Sequence, residues 1–331
     1  ELLQHLPDGS RDMSPEIFNF HNTLDPSTAV LGLSWNPIED TCLFHIHSYS
    51  CAITKRTILS EVARLFDPLG LLCPITFYGK WMIQELWHLG LSWDDSPPQN
   101  IIDRWNQFRG ELPLLSAFSA PRSMRVDSAV DIQLHAFADA SEKGYAAMIY
   151  IRSVRNSKVE SNLLLAKSKV APVRKITLPR LELLALVLAA RLVDNARRIL
   201  LGHCSITKYT VWSDSLVALQ WVKSSPRKWK TFVANRISTI QEKLDPDQFH
   251  YVPSALNPSD IASRGALPRQ FLENVEWCSG PSWLSEPEDT WPKYSFGSKF
   301  EHSTPLNDES KTSSFTTQLD IQKSSWMLRF S

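Results

Sequence analysis

The rhythm of apolar and polar positions changes near residue 131 and divides the chain. Before that point the spacing is mostly helical. Over residues 54–66, Ile58, Val62 and Leu65 share one face while Glu61 and Arg64 lie elsewhere, and Asp67-Pro68-Leu69-Gly70 ends the run. Further helices are predicted over 75–89 and 101–111, separated by Trp93-Asp94-Asp95-Ser96-Pro97-Pro98. Residues 30–35 and 42–47 read as a hairpin. Residues 1–30, punctuated by Pro7, Gly9, Pro15 and Pro26, read as an irregular lead-in.

From residue 131 the period shortens. Residues 131–138 alternate, 144–151 are nearly all apolar and 162–170 alternate again, which predicts a three-stranded meander. Pro179 then opens a helix over 181–200, as suits proline in a first turn. The first ten residues of that helix are apolar on every side except at Glu182, so it should be buried. A strand over 206–213, helices over 215–223 and 229–244, a last strand over 249–253 and a short helix after Asn257-Pro258 complete the pattern. The order predicts an α/β domain with a mixed sheet. After Gly265 the chain loosens. Trp283 and Trp291 stand in proline-containing surroundings, and residues 296–324 have the polar composition expected of a disordered tail.

Composition adds charge asymmetry. The 331 residues carry no net charge, but residues 1–130 sum to −6, 131–264 to +9 and 265–331 to −3. A basic middle third suits a polyanionic partner, and equally suits an ordinary solvated surface. No apolar run is long enough to span a bilayer. The five cysteines are scattered, without metal-ligand spacing, and are read as reduced thiols in an intracellular setting. No signal-peptide pattern opens the chain, and the absence of an initiator Met reads as a fragment of something longer.

Four carboxylates stand at the edges of the predicted elements in this basic region: Asp139 in HAFADAS, Glu182 in LPRLELLALVLAA, Asp214 in VWSDS and Asp260 in NPSDIASRG. Like charges gathered together raise one another's pKa, so such acids converge mainly where cations neutralise them, and oxygen ligands suit Mg²⁺ or Mn²⁺. Each also has a plainer reading. Asp139 could belong to a turn, Asp214 could cap a helix, Asp260 could cap its own turn, and Glu182 could favour the start of its helix.

The order Asp, Glu, Asp, Asp against these elements resembles ribonuclease H. The resemblance extends further. Residues 54–95, together with FADASEKGYAA, LPRLELLALVLAARL, WSDSLVALQW, KWKTFVANR and NPSDIASRG, resemble the Pol polyproteins of Pao/BEL-type LTR retrotransposons. It implies a ribonuclease H-like mixed five-stranded sheet with flanking helices over residues 131–265. A mostly helical reverse-transcriptase thumb- or connection-like region over 1–130 would precede it, and a Trp-containing linker and tail over 266–331 would follow. It also implies hydrolysis of the RNA strand of an RNA/DNA hybrid by two Mg²⁺ or Mn²⁺ ions. Asp139 would bridge both ions, Glu182 and Asp214 would complete one site, and Asp260 would complete the site that activates water. The implied partners are a reverse-transcriptase palm upstream and an integrase downstream, with no membrane, in a cytoplasmic retroelement particle or the nucleus. No YxDD polymerase motif, HHCC zinc knuckle or integrase triad is found. The piece is therefore expected to begin after the palm and to lack polymerase and integration chemistry.

A segment with four bases and a tryptophan, Lys223 to Lys230, follows the Asp214 helix. Arg227, Lys228, Trp229 and Lys230, with Arg236 on the next helix, suit phosphate contact and stacking. Trp229 could equally be anchored in the core. Arg180 and Arg264 flank Glu182 and Asp260 and are further phosphate candidates. His250, before HYVPS, is read either as a catalytic histidine in an altered setting or as a partly buried structural one. The competing functional reading is a non-catalytic ribonuclease H-like module that binds nucleic acid or another Pol subunit.

Overall fold

The computed structural model describes residues 18–19, 33–36, 38–44, 46, 52–124, 131–156, 158–293 and 308–310. A small antiparallel sheet forms first, in the order β1 (Phe18–Asn19), β2 (Leu33–Asn36), β3 (Thr41–Phe44) and β4 (Ser119–Pro121). The lead-in expected to be irregular thus contributes β1; its other residues lie outside those described. Between β3 and β4 run α1 (Lys55–Ala63), α2 (Cys73–His88) and α3 (Gln99–Glu111). Thr54 and Thr57 close a reciprocal cap on α1, and Pro74 stands in the first turn of α2, where a missing N–H costs nothing.

The main sheet has five strands in the order β7 (Lys158–Val170), β6 (Gly144–Arg155), β5 (Asp131–Ala140), β8 (Lys208–Ser213) and β9 (Phe249–Tyr251). The first three are an antiparallel meander, while β8 runs parallel to β5 and β9 parallel to β8. Helix α4 (Leu178–Leu200) provides the crossover from β7 to β8, and α5 (Leu216–Val222) and α6 (Thr231–Gln241) link β8 to β9. Two short helices follow, α7 (Asp260–Arg264) and α8 (Pro268–Leu272).

Residues alternate across β5, so the sheet buries both faces. Leu134, Ala136 and Ala138 meet Leu183, Leu186, Ala189 and Ala190 of α4, with Ala218 of α5 and Val233 and Ile237 of α6. The small residues let α4 approach closely. On the other face Phe137, Met148, Tyr150 and Trp212 form one apolar cluster with Ile75 and Met82 of α2, Trp105 and Phe108 of α3, and Phe271, Trp277, Leu284 and Trp291. The helices before residue 131 and the segment after 265 therefore share a core with the sheet. Polar bonds pin that segment: Tyr150 Oη donates to Trp277 O at 2.9 Å and Arg152 Nε to Leu284 O at 2.9 Å.

One helix begins later than expected. Residues 226–228 form a 3-10 turn, Trp229 is extended, and α6 starts at Thr231. Pro226 favours the tight turn and the burial of Trp229 fixes the break. The tail 296–324 lies outside the described residues except at 308–310.

Candidate active site

Register brings two of the four acids side by side. In the parallel pair β5–β8, Ala138 is opposite Ser213. The next residues are Asp139 and Asp214, so both leave the C-terminal ends of adjacent central strands. Asp139 is buried, and its Oδ2 accepts a hydrogen bond from Ser263 Oγ of α7. Burial pushes its carboxyl up to about 7. The Ser263 bond opposes that rise, and the charges of Asp214 and Asp260 add to it.

Glu182 is partly buried on α4 and accepts a hydrogen bond from Ser215 Oγ, beside Asp214. Burial raises its pKa, Ser215 offsets part of the rise and Asp214 adds to it. Asp214 accepts from Ser254 Oγ. Asp260 pairs with Arg264 at 2.6 Å, one turn along α7. The Arg264 guanidinium is held charged first by Asp260 and also by Asp139 and Asp214. All four acids thus belong to one electrostatic neighbourhood: Asp139 feels Asp214 and Asp260, and Glu182 feels Asp214.

The plainer roles fit poorly. The N-cap of α5 is Ser215, whose Oγ accepts from Ala218 N, so Asp214 is not the cap. The N-cap of α7 is Ser259, and Glu182 lies beyond the first turn of α4. Four serine and asparagine side chains that sequence reading did not single out do the local holding: Ser215, Ser254, Ser263 and Asn257. Asn257 Nδ2 donates to Ala138 O at 3.2 Å, and Ser141 Oγ donates to Ser263 O at 2.7 Å, which ties α7 to the end of β5. Ser263 had no local signal for Asp139, which lies 124 residues away. Ser254 had none, because its partner is 40 residues away.

Helix α2 braces the same end. Gly265, at φ 75°, ends α7 so close to α2 that a Cβ there would lie 3.0 Å from Phe77 and 3.2 Å from Tyr78. Gly144, in the turn after Asp139, would place a Cβ 2.3 Å from Lys169 O and 2.7 Å from Phe77. Lys143 Nζ lies 3.9 Å from the Trp81 ring centroid and donates to Arg264 O at 3.4 Å.

The donor set, three aspartates and a glutamate, suits a hard divalent cation. Burial of Asp139 beside two further acids leaves negative charge that a cation would offset. Among the described residues, however, no group of three or more His, Cys, Asp or Glu is arranged to hold a metal ion. Each carboxylate turns instead to a nearby hydroxyl or guanidinium.

The basic candidates divide. Arg227 and Lys228 are exposed on the 3-10 turn. Trp229 is buried against Trp221 and its Nε1 donates to Ser224 Oγ at 2.6 Å, so its ring is a core anchor. Arg180 and Arg236 lie over the Phe232 ring, 4.9 Å and 3.4 Å from its centroid. Lys230 is exposed. Arg264 is the partner of Asp260. His250 has an exposed edge, but its ring packs 5.4 Å from the indole of Trp212, opposite it in the β8–β9 pair, and is partly desolvated there. Burial first, then Lys223 and Lys208, lowers its pKa; Asp247 opposes this, and none of the four acids contributes.

Residues 54–215 match the family described as the Pao retrotransposon-like RNaseH-like domain. The Pao-type segment runs from α1 through Asp214, across the change of rhythm at residue 131, and contains three of the four acids. Similar solved structures include the N-terminal ribonuclease H domain of a Mycobacterium tuberculosis protein at 15% identity, covering 39% of this chain and 86% of that one, TM-score 0.26. A ribonuclease H1 isolated from compost is 16% identical, covering 43% and 98%, TM-score 0.29. Ribonuclease H1 of Halobacterium salinarum is 16% identical, covering 44% and 99%, TM-score 0.25. No curated protein matches significantly. The chain has a ribonuclease H-like α/β fold, with a mixed five-stranded sheet and flanking helices. Among the described residues no helix is long and apolar enough to cross a membrane, and Cys42, Cys73, Cys204 and Cys278 are free thiols.

Proposed function

We propose that this chain is the ribonuclease H part of a retroelement Pol polyprotein and cleaves the RNA strand of RNA/DNA hybrids. The observation that carries this reading is the register of β5 and β8, with Asp139 and Asp214 at adjacent strand ends and Glu182 and Asp260 electrostatically linked to them. Asp139, Glu182, Asp214 and Asp260 would hold two Mg²⁺ or Mn²⁺ ions. When bound, such ions supply an acidified water and stabilise charge on the phosphoryl oxygens. The chain's own groups orient the acids. Ser263 fixes one oxygen of Asp139, Ser215 fixes Glu182, Ser254 fixes Asp214, and Arg264 pairs with Asp260. Exposed Arg227 and Lys228, with Lys230, Arg180 and Arg236, would bind phosphates, and Trp229 supports them from the core.

In this reading residues 131–265 form the nuclease domain. Residues 1–130 are a thumb- or connection-like region that also braces it, and 266–331 are a C-terminal extension. A reverse-transcriptase palm and an integrase would be its neighbours in the polyprotein, and a cytoplasmic particle or the nucleus its place of action.

A second reading is a non-catalytic module that binds nucleic acid or a Pol subunit. The turning of each acid to its own local partner, with no three gathered for an ion, favours it. The deciding experiment is cleavage of hybrid, duplex RNA and duplex DNA with Mg²⁺ or Mn²⁺ and with EDTA. The nuclease reading expects cation-dependent cutting of the hybrid's RNA strand that Asp139→Asn abolishes. Hybrid binding without cutting would leave the binding module.

A further inference from the structure

Residues 308–310 sit on the basic surface just described. Ser310 pairs with Trp229 in an antiparallel bridge. Lys230 N donates to Glu309 O at 2.8 Å, and Lys230 Nζ donates to Asp308 O. The Glu309 side chain is buried and accepts from Arg180 Nε at 2.6 Å. The Arg180 guanidinium shares the Phe232 ring with that of Arg236. Arg236 Nε and Glu309 Oε2 are both buried without a hydrogen-bond partner among the described residues. A carboxylate and two backbone carbonyls therefore occupy donors that would otherwise face solvent.

We propose that Asp308-Glu309-Ser310 is an internal acidic latch that competes with nucleic-acid phosphates for Arg180 and Lys230. The proposal rests on the hybrid-binding reading above. The chemistry matches. Glu309 presents an anionic oxygen to a guanidinium on an aromatic platform, as a phosphate would, and the carbonyls take the lysine's N–H donors. Because latch and surface belong to one chain, the effective concentration is in the millimolar range, so a few weak contacts can oppose a polyanion. The Arg180–Glu309 pair weakens with salt, so salt loosens the latch and the phosphate contacts together.

The test uses the full chain and a labelled RNA/DNA hybrid in EDTA, where binding is read without cutting. Two variants open the latch in different ways. Glu309→Gln removes its charge, and Ser310→Pro disrupts the bridge without changing charge. Each should bind the hybrid about threefold to tenfold more tightly than the parent. Hydrogen exchange at the Lys230 amide, which donates to Glu309, should be faster in both variants without hybrid. Faster exchange with unchanged or weaker hybrid affinity would overturn the latch and leave the hybrid reading standing. Unchanged exchange in both variants would overturn the docking itself. Absence of hybrid binding in all three proteins would defeat the hybrid reading, and the competition with it.

Discussion

The hydroxyl of Ser263 donates to the carboxylate of Asp139 across 124 residues of chain. It is the bond through which α7 holds the most buried acid of the candidate site. Replacing Ser263 with Ala leaves a buried carboxylate oxygen without that donor, which costs about 1–3 kcal/mol. Denaturant melts should record the loss, and hybrid cleavage should fall with it. Ser263→Thr, which keeps the hydroxyl, should recover part of both. Equal activity in Ser263→Ala would mean that Asp139 needs no such support.

Glu182 and Asp214 repel each other in the absence of a cation. Glu182→Gln should therefore leave the protein in EDTA as stable as the parent or more so, while cleavage collapses. Melting curves with EDTA and with Mg²⁺, beside a cleavage assay, read both halves. A Glu182→Gln protein that is less stable in EDTA and fully active would remove Glu182 from the site.

Gly265 separates α7 from α2 with little room for a methyl group and at a positive φ. Gly265→Ala should destabilise the fold by about 1–3 kcal/mol. It should also slow cleavage by moving Asp260. Gly202, where a Cβ would meet nothing within 4 Å, is the control: Gly202→Ala should change neither quantity. The readouts are urea midpoints and initial cleavage rates.

His135 carries the pH dependence whose sign is clearest. Its ring is fully buried, with Nδ1 accepting from Trp212 Nε1 at 3.2 Å and Nε2 facing Gln133 Oε1 at 2.9 Å. Burial holds its pKa well below the ordinary 6.5, and Arg152 and Lys208 lower it further. The unfolded chain takes up this proton below about pH 6.5 and the folded chain does not. The contribution is therefore complete above that pH and shrinks as pH falls. At pH 5 the loss should approach about 2 kcal/mol. Urea stability from pH 7.5 to 5 measures it, and His135→Phe should have a shallower slope whatever its absolute stability.

The sequence made much of this legible because local physics made it so. The meander, the Pro179 start of α4 and the buried face around Glu182 follow from period, proline and apolarity, and all appear close to the predicted bounds. The four acids could be named because each stands at the edge of such an element. The serine hydroxyls at Ser254 and Ser263 could not be paired with their acids, since each pairing spans tens of residues and depends on register. The role of residues 266–293 was obscured for another reason. Trp277, Leu284 and Trp291 are separated by polar and proline-rich stretches and have no helical or strand period. They are buried one at a time, in pockets that only the folded sheet provides.

That mode of burial bears on how the protein is made. Phe137, Tyr150 and Trp212 share one apolar cluster with residues of α2, synthesised before them, and with Trp277, Trp283 and Trp291, synthesised after them. During translation the outer face of the sheet must wait until residue 291 clears the ribosomal exit tunnel. A nascent chain stalled near Gly265 would carry its four acids and a bare aromatic surface together, which is the kind of species that chaperones retain.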